Sequence, residues 1–300
     1  MAAGYSEPGV MMTRPAGREG HWNSDGDDDE IVCPFPSVIV DGVAAVQTLA
    51  ELRTAYPHMT PIIVGSVHQA ALLLEGMAFR QSAPSDGVQG FFGRVVNQFS
   101  AARYSTDIDP RTYACARSSD IAKTLDAAEA FGVKDWLVAR QAENEAAIME
   151  FEDPDDPEAV WPPRGDWPDD VVPASRPSLV KDLRTGKFRD SVIILGIETE
   201  RPSDIAAHLQ FGGWNACPDP HIHVAIARRW GAQFGAIPIG TSNDMIEFSV
   251  ARPVTDRDTA LLVAMEHCLY CSEFVDQGGG GIDELAASLF GAPIWSFWWD

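Results

Sequence analysis

The sequence predicts an α+β fold: a small mixed β-sheet with helices packed on it, preceded by a second, smaller α/β region. Three observations carry that expectation. Apolar residues make up 45% of the 300, a normal share for a chain that buries a core. Short apolar runs bounded by turn residues read as strands, most clearly Val192-Ile193-Ile194-Leu195-Gly196-Ile197. Between such runs, apolar residues recur at helical spacing, as in Ile222, Ile226, Trp230 and Phe234.

Taken in order, residues 1–33 are rich in Gly, Ser and acids, have little to bury and are expected to be a disordered acidic tail. An N-terminal α/β region follows over 34–151. Ser37-Val38-Ile39-Val40 reads as a strand, 43–56 as a helix closed by Pro57, 61–65 as a buried strand and 67–77 as a second helix. Loops are expected over 82–117, with a short helix near 91–99, and helices again over 118–130 and 135–151. Residues 152–178 form a connector dense in Pro and acid, either extended or a wrapping arm held by Trp161 and Trp167.

The C-terminal domain, 179–300, reads as β-α-α-β-β-α-α-β. Ser203 caps a short helix, Pro220 occupies the first position of the next, and 236–240 with 245–250 make a hairpin. Thr255 opens a helix to about Cys271, and 283–290 form another, closed by Gly291. In the last strand Trp295, Phe297 and Trp299 share one face, and Ile294, Ser296 and Trp298 the other. Both faces are largely apolar, which places this strand inside the sheet.

The net charge is −22. Long-range repulsion therefore disfavours nucleic acid and anionic membrane, while a basic protein partner is accommodated. No apolar run approaches the roughly eighteen residues of a membrane helix, and the first residues lack the basic start and apolar stretch of a signal peptide. Cytoplasmic location is the expectation, and five scattered cysteines fit reduced thiols there. Oligomeric state is left open.

Several segments of the last third, in order, carry a family resemblance. They are Phe211-Gly212-Gly213-Trp214-Asn215-Ala216-Cys217-Pro218, His223-Val224-Ala225 through Arg229-Trp230, and Phe234-Gly235-Ala236. Ala264-Met265-Glu266-His267, Tyr270-Cys271, Asp276-Gln277-Gly278 and Trp295-Ser296-Phe297-Trp298-Trp299-Asp300 complete the set. Over about residues 190–300 the chain resembles the bacterial domain-of-unknown-function family 4253. The resemblance implies a shared C-terminal fold and brings no reaction, substrate or catalytic residue with it. The chain departs from the family form after Cys271, where Ser272-Glu273-Phe274 replaces an acidic turn containing Pro.

Four constellations could carry chemistry. Cys217, His221, His223, His267, Cys268 and Cys271 are residue types that bind zinc. Yet Cys268 and Cys271 fall on a helix rather than a knuckle, and His221 and His223, two apart, face different ways; buried cysteines and surface histidines are the competing reading. A thiol nucleophile at Cys217 or Cys271 with His267 is the second; Cys217 precedes a helix, but no base is identifiable beside it. Gly278-Gly279-Gly280-Gly281 could present N–H groups to an anion but lacks the Lys-Ser/Thr ending of a phosphate loop. Finally, the Trp214-Asn215 turn, with Arg229, His267, Tyr270, Asp276 and Gln277, is where a ligand pocket is expected. No cofactor motif emerges and no cofactor is expected. These readings favour a non-enzymatic, partner-binding protein of immunity or antitoxin-like type. The alternatives are a hydrolase or metal-dependent enzyme using Cys217, His267 or Cys271, and a small-molecule sensor.

Overall fold

Alternation along the strands separates the side chains into two cores. In the computed structural model, which describes residues 20–23, 30–82, 116–151, 161–168, 170–277 and 280–300, strand β5 (Val192–Ile197) sends Ile193, Leu195 and Ile197 into one hydrophobic cluster and Val192 and Ile194 into the other. Successive side chains of a strand leave on opposite faces, so a strand apolar at every position must be covered on both. Strand β4 (Thr60–Gly65) does the same with Ile62 and Val64 against Ile63.

These two lie in one six-stranded mixed sheet. Its other strands are β3 (Ser37–Val40), β6 (Ala236–Thr241), β7 (Met245–Val250) and β8 (Ile294–Trp298), in the order β3-β5-β4-β6-β7-β8. β5 pairs antiparallel with both β3 and β4, while β6, β7 and β8 form an antiparallel meander. The two halves meet in a parallel contact of β4 with β6. The α+β class and the mixed sheet are thus as expected, but among the described residues the strands of 34–151 form no separate sheet. Strands β3 and β4 flank β5, so the expected division at 152–178 separates sequence segments that share one sheet. A small ribbon pairs β1 (Gly20–Asn23) with β2 (Glu30–Cys33), inside the stretch expected as a tail. The loops and short helix expected over 82–117 lie almost wholly outside the described residues.

One face of the sheet carries α1 (Ala45–Ala55), through Ala45, Leu49 and Leu52, and the turn Ser178–Val180. The other face carries the larger core. It is covered by α2 (Val67–Ser82), α3 (Ser118–Ala130), α4 (Val133–Phe151), α5 (Ile205–Leu209), α6 (Pro220–Phe234), α7 (Arg257–Tyr270), the short α8 (Glu273–Asp276) and α9 (Ile282–Leu289). Pro220 opens α6, where its missing N–H is no loss. Ser203 lies in a preceding 3-10 turn rather than capping α5, and α7 is capped by Asp256, whose carboxylate accepts from Thr259 N.

β8 corrects a sequence expectation. Trp295, Phe297 and Trp299 enter the large core and Ile294 and Trp298 the small one, yet among the described residues β8 pairs with β7 alone and ends the sheet. Apolar faces report the layers above and below a strand, not its neighbours within the sheet. The wrapping-arm reading of Trp161 and Trp167 is realised in residues 161–168. Trp161 and Trp167 pack on the large core. Pro163 O accepts from Ile282 N, Arg164 pairs with Asp283 at 3.1 Å, and the Arg257 guanidinium lies 4.5 Å from the Trp167 ring centre.

Glu247 is fully buried on β7 and faces the smaller core. Its carboxylate accepts from Ser178 N at 2.6 Å, Leu179 N at 3.2 Å and Ser296 Oγ at 2.8 Å. It ties the connector's end to β7 and β8. Buried donors stranded without a partner each cost about 1–3 kcal/mol, so Glu247→Ala should lower unfolding free energy by about 3 kcal/mol or more. A denaturant titration checks this, and a loss below about 1 kcal/mol would mean that water replaces the carboxylate there.

Candidate functional site

The loop 211–219 is shaped by its glycines. Gly212 has φ +104° and Gly213 φ +82°, backbone that L side chains rarely adopt. A Cβ on Gly212 would lie 2.0 Å from the Pro218 carbonyl oxygen and 2.6 Å from His223 Nε2. Gly213 N donates to Pro218 O at 2.9 Å and Cys217 N to Trp214 O at 2.8 Å. The folded-back loop sets Cys217 just ahead of α6, whose first turn carries His223.

His223 is fully buried. Its Nε2 lies 3.5 Å from Cys217 Sγ and its Nδ1 2.5 Å from Tyr270 Oη. The rings of Phe211, Trp299 and Tyr270 meet it edge to face at 5.0–5.4 Å. A thiol, an imidazole and a phenol thus stand in line, drawn from a loop, α6 and the last residue of α7. Burial, with Cys217 and Cys271 nearby, pushes the Tyr270 hydroxyl well above its ordinary range, so it stays a neutral hydrogen-bonding group. Cys217 is largely buried but lines a cleft of about 260 Å³ shared with Trp136, Arg140, Asn215, Asp219 and Ile222.

Cys217 and Tyr270 stood out in the sequence, but no base was identifiable beside the cysteine, and surface placement was the competing reading for His221 and His223. Two positions apart on a helix, the histidines face different ways: His221 packs against Phe131 at 5.3 Å while His223 turns inward. The signal for His223 was its phase on α6, since it precedes the buried Ile226 and Trp230 by 3 and 7 positions.

The expected ligand-pocket residues divide. Trp214 packs on Phe211 at 5.1 Å. Asn215 Nδ2 donates to the Asp300 main-chain oxygen, and Gln277 Nε2 donates to Asp300 Oδ2 at 2.8 Å. With Tyr270, these gather about the end of β8. Arg229 instead makes a two-pronged pair with Glu266 at 3.2 and 2.5 Å, and Trp230 Nε1 donates to the same carboxylate. Asp276 is exposed on α8.

His267 sits among Trp230, Trp295 and Phe297, with ring centres 4.6–4.8 Å away. Desolvation pushes its pKa down to about 3. Cys268 and Cys271 move the other way: burial pushes both thiols up to about 12, and Cys271 Sγ donates to Trp298 O at 3.0 Å. His267 is thus a buried neutral ring and Cys271 a protonated thiol, which suits packing rather than nucleophilic work. Among the described residues no three His, Cys, Asp or Glu side chains converge on a metal position. The end of α9 nearest the glycine run is filled from within: Gly281 N donates to Glu284 Oε2, and Asp166 N to Glu284 Oε1.

Fold and site define an α+β protein with a buried thiol–imidazole–phenol line, of which Cys217 borders a cleft. Residues 193–300 match the model of a family described as Domain of unknown function (DUF4253), so the C-terminal region carries that domain. Cys217, His223 and Tyr270 all fall within the match. No curated protein and no solved structure matches the chain.

The His267 environment has a pH consequence. The unfolded chain binds a proton at this ring below about 6.5, whereas the folded chain does so only near 3. The stability contributed by a neutral His267 is complete above about pH 6.5 and is lost toward pH 3, by about 1.4 kcal/mol per unit. Replacing His267 with Phe should flatten that part of the stability–pH curve, measured by urea unfolding at pH 7, 5.5 and 4. An unchanged slope would place the acid sensitivity elsewhere.

Proposed function

We propose that the C-terminal domain is a thiol-based hydrolase acting on a small acyl compound. The carrying observation is Cys217 Sγ at 3.5 Å from His223 Nε2, in a residue that borders a cleft. A nucleophile, a base and a group that orients the base are the minimum of covalent acyl transfer. In the first step the Cys217 proton passes to His223 Nε2, and sulfur attacks the carbonyl carbon. The carbon–sulfur bond forms, the leaving group departs with the proton from His223, and a thioester remains. Water then attacks the thioester, His223 takes its proton and returns it to sulfur, and the acid is released. Tyr270 holds Nδ1 and so fixes the ring's orientation. A thiol near the start of a helix also gains from the positive end of the backbone dipole.

The test is alkylation by iodoacetamide, mapped by peptide mass spectrometry. Cys217 should react at least about tenfold faster than Cys268 and Cys271 at pH 7, because only the thiolate reacts. Tyr270→Phe should slow Cys217 without unfolding the chain. Equal, slow alkylation at all three thiols would leave His223 a hydrogen-bonded core residue and refute the reading.

The net charge of −22 supports a second reading: docking of a basic protein by an immunity or antitoxin-like protein in the cytoplasm. Such a complex should be recovered by pull-down at low salt and released as salt is raised, since surface attraction is screened over about 8–10 Å. Failure to recover a specific partner at low salt would count against it.

A further inference from the structure

We propose that the cleft beside Cys217 takes a small N-acyl amino acid or similar aromatic carboxylate, with Arg140 as its anion anchor and Trp136 as its aromatic wall. The inference rests on the thiol reading for the orientation of the acyl group toward Cys217, and on its own observations for the anchor.

Those observations lie on α4. Trp136 and Arg140, four apart, stand on one helix face and line the same cleft as Cys217. The Arg140 guanidinium carbon is 5.9 Å from the Trp136 ring centre. Its side chain is 32% exposed, and it pairs with Glu143, itself 67% exposed, at a loose 3.9 Å. An exposed pair of this kind contributes little. Arg140 Nε is buried and, among the described residues, has no hydrogen-bond acceptor. The part of Arg140 that lines the cleft is a planar guanidinium fork, which matches a carboxylate because a carboxylate accepts two parallel N–H bonds.

Opposing charge is limited. Asp219 also borders the cleft but is exposed, so water weakens its repulsion of a bound anion. Trp136 itself packs on Phe131, with ring centres 6.1 Å apart, which holds the indole as a fixed surface. An N-acyl amino acid brings the three parts this wall asks for: a carboxylate for Arg140, a flat or apolar group for Trp136, and an amide carbonyl to face Cys217.

The probe is N-benzoylglycine, set against its neutral carboxamide, with binding followed by calorimetry on the full chain. Cys217→Ser is used throughout, so turnover does not enter. The acid should bind at least about tenfold more tightly than the amide, the difference a charge-assisted hydrogen bond supplies. Arg140→Gln should remove that preference, so that acid and amide bind alike. Equal binding of acid and amide, an unaltered preference in Arg140→Gln, or no binding of either would overturn the proposal. Fast alkylation of Cys217 alongside any of these results would leave the thiol reading standing, so the two fail separately.

Discussion

The placement of one imidazole governs the architecture around the site. His223 is enclosed by Phe211, Tyr270 and Trp299, with both ring nitrogens facing polar atoms of other elements. Burying a polar ring costs stability unless its nitrogens find partners, as those of His223 do. Hence the loop before α6 must deliver a sulfur, α7 must end in a phenol, and β8 must run on into an indole. Gly212 is the steric counterpart, because any side chain there would collide with the same ring.

That arrangement depends on a sheet assembled from distant parts of the chain. β5 lies between β3 and β4, more than 120 residues earlier, and its alternating side chains enter both cores. The family match begins at residue 193, inside β5, so it leaves out two of the six strands that complete the sheet. Glu247 and the arm at 161–168 secure the long connection. Glu247 supplies a buried carboxylate to the Ser178 and Leu179 N–H groups, and in the arm Gly165 N donates to the carboxylate of the buried Asp283.

Local pattern carried much of this. The four-residue spacing of Ile222, Ile226, Trp230 and Phe234 gave α6, Pro220 its start, and period-two alternation the two faces of β8. Strand order was not legible, because hydrophobicity along β8 records what lies above and below it and says nothing of who pairs with its edge. The joining of β3 and β4 to β5 was hidden for the same reason: pairing partners separated by a long connector leave no periodic trace. The site was half legible. Cys217 stood out by residue type and by its position before a helix. His223 did not, since its inward phase was masked by His221 two residues away, and its partner Tyr270 lies 47 residues on. His267, expected at a pocket, proved to be walled in by aromatic rings.

The central chemical claim is that His223 presents a proton-accepting Nε2 to the Cys217 thiol. Nitrogen-15 NMR of the histidine rings at neutral pH reads this directly. His223 should be protonated at Nδ1 and donate to Tyr270 Oη, with Nε2 carrying a lone pair toward sulfur. An Nε2–H tautomer, with Tyr270 donating to Nδ1 and Cys217 still a thiol, would contradict it, for the imidazole would then have no base to offer.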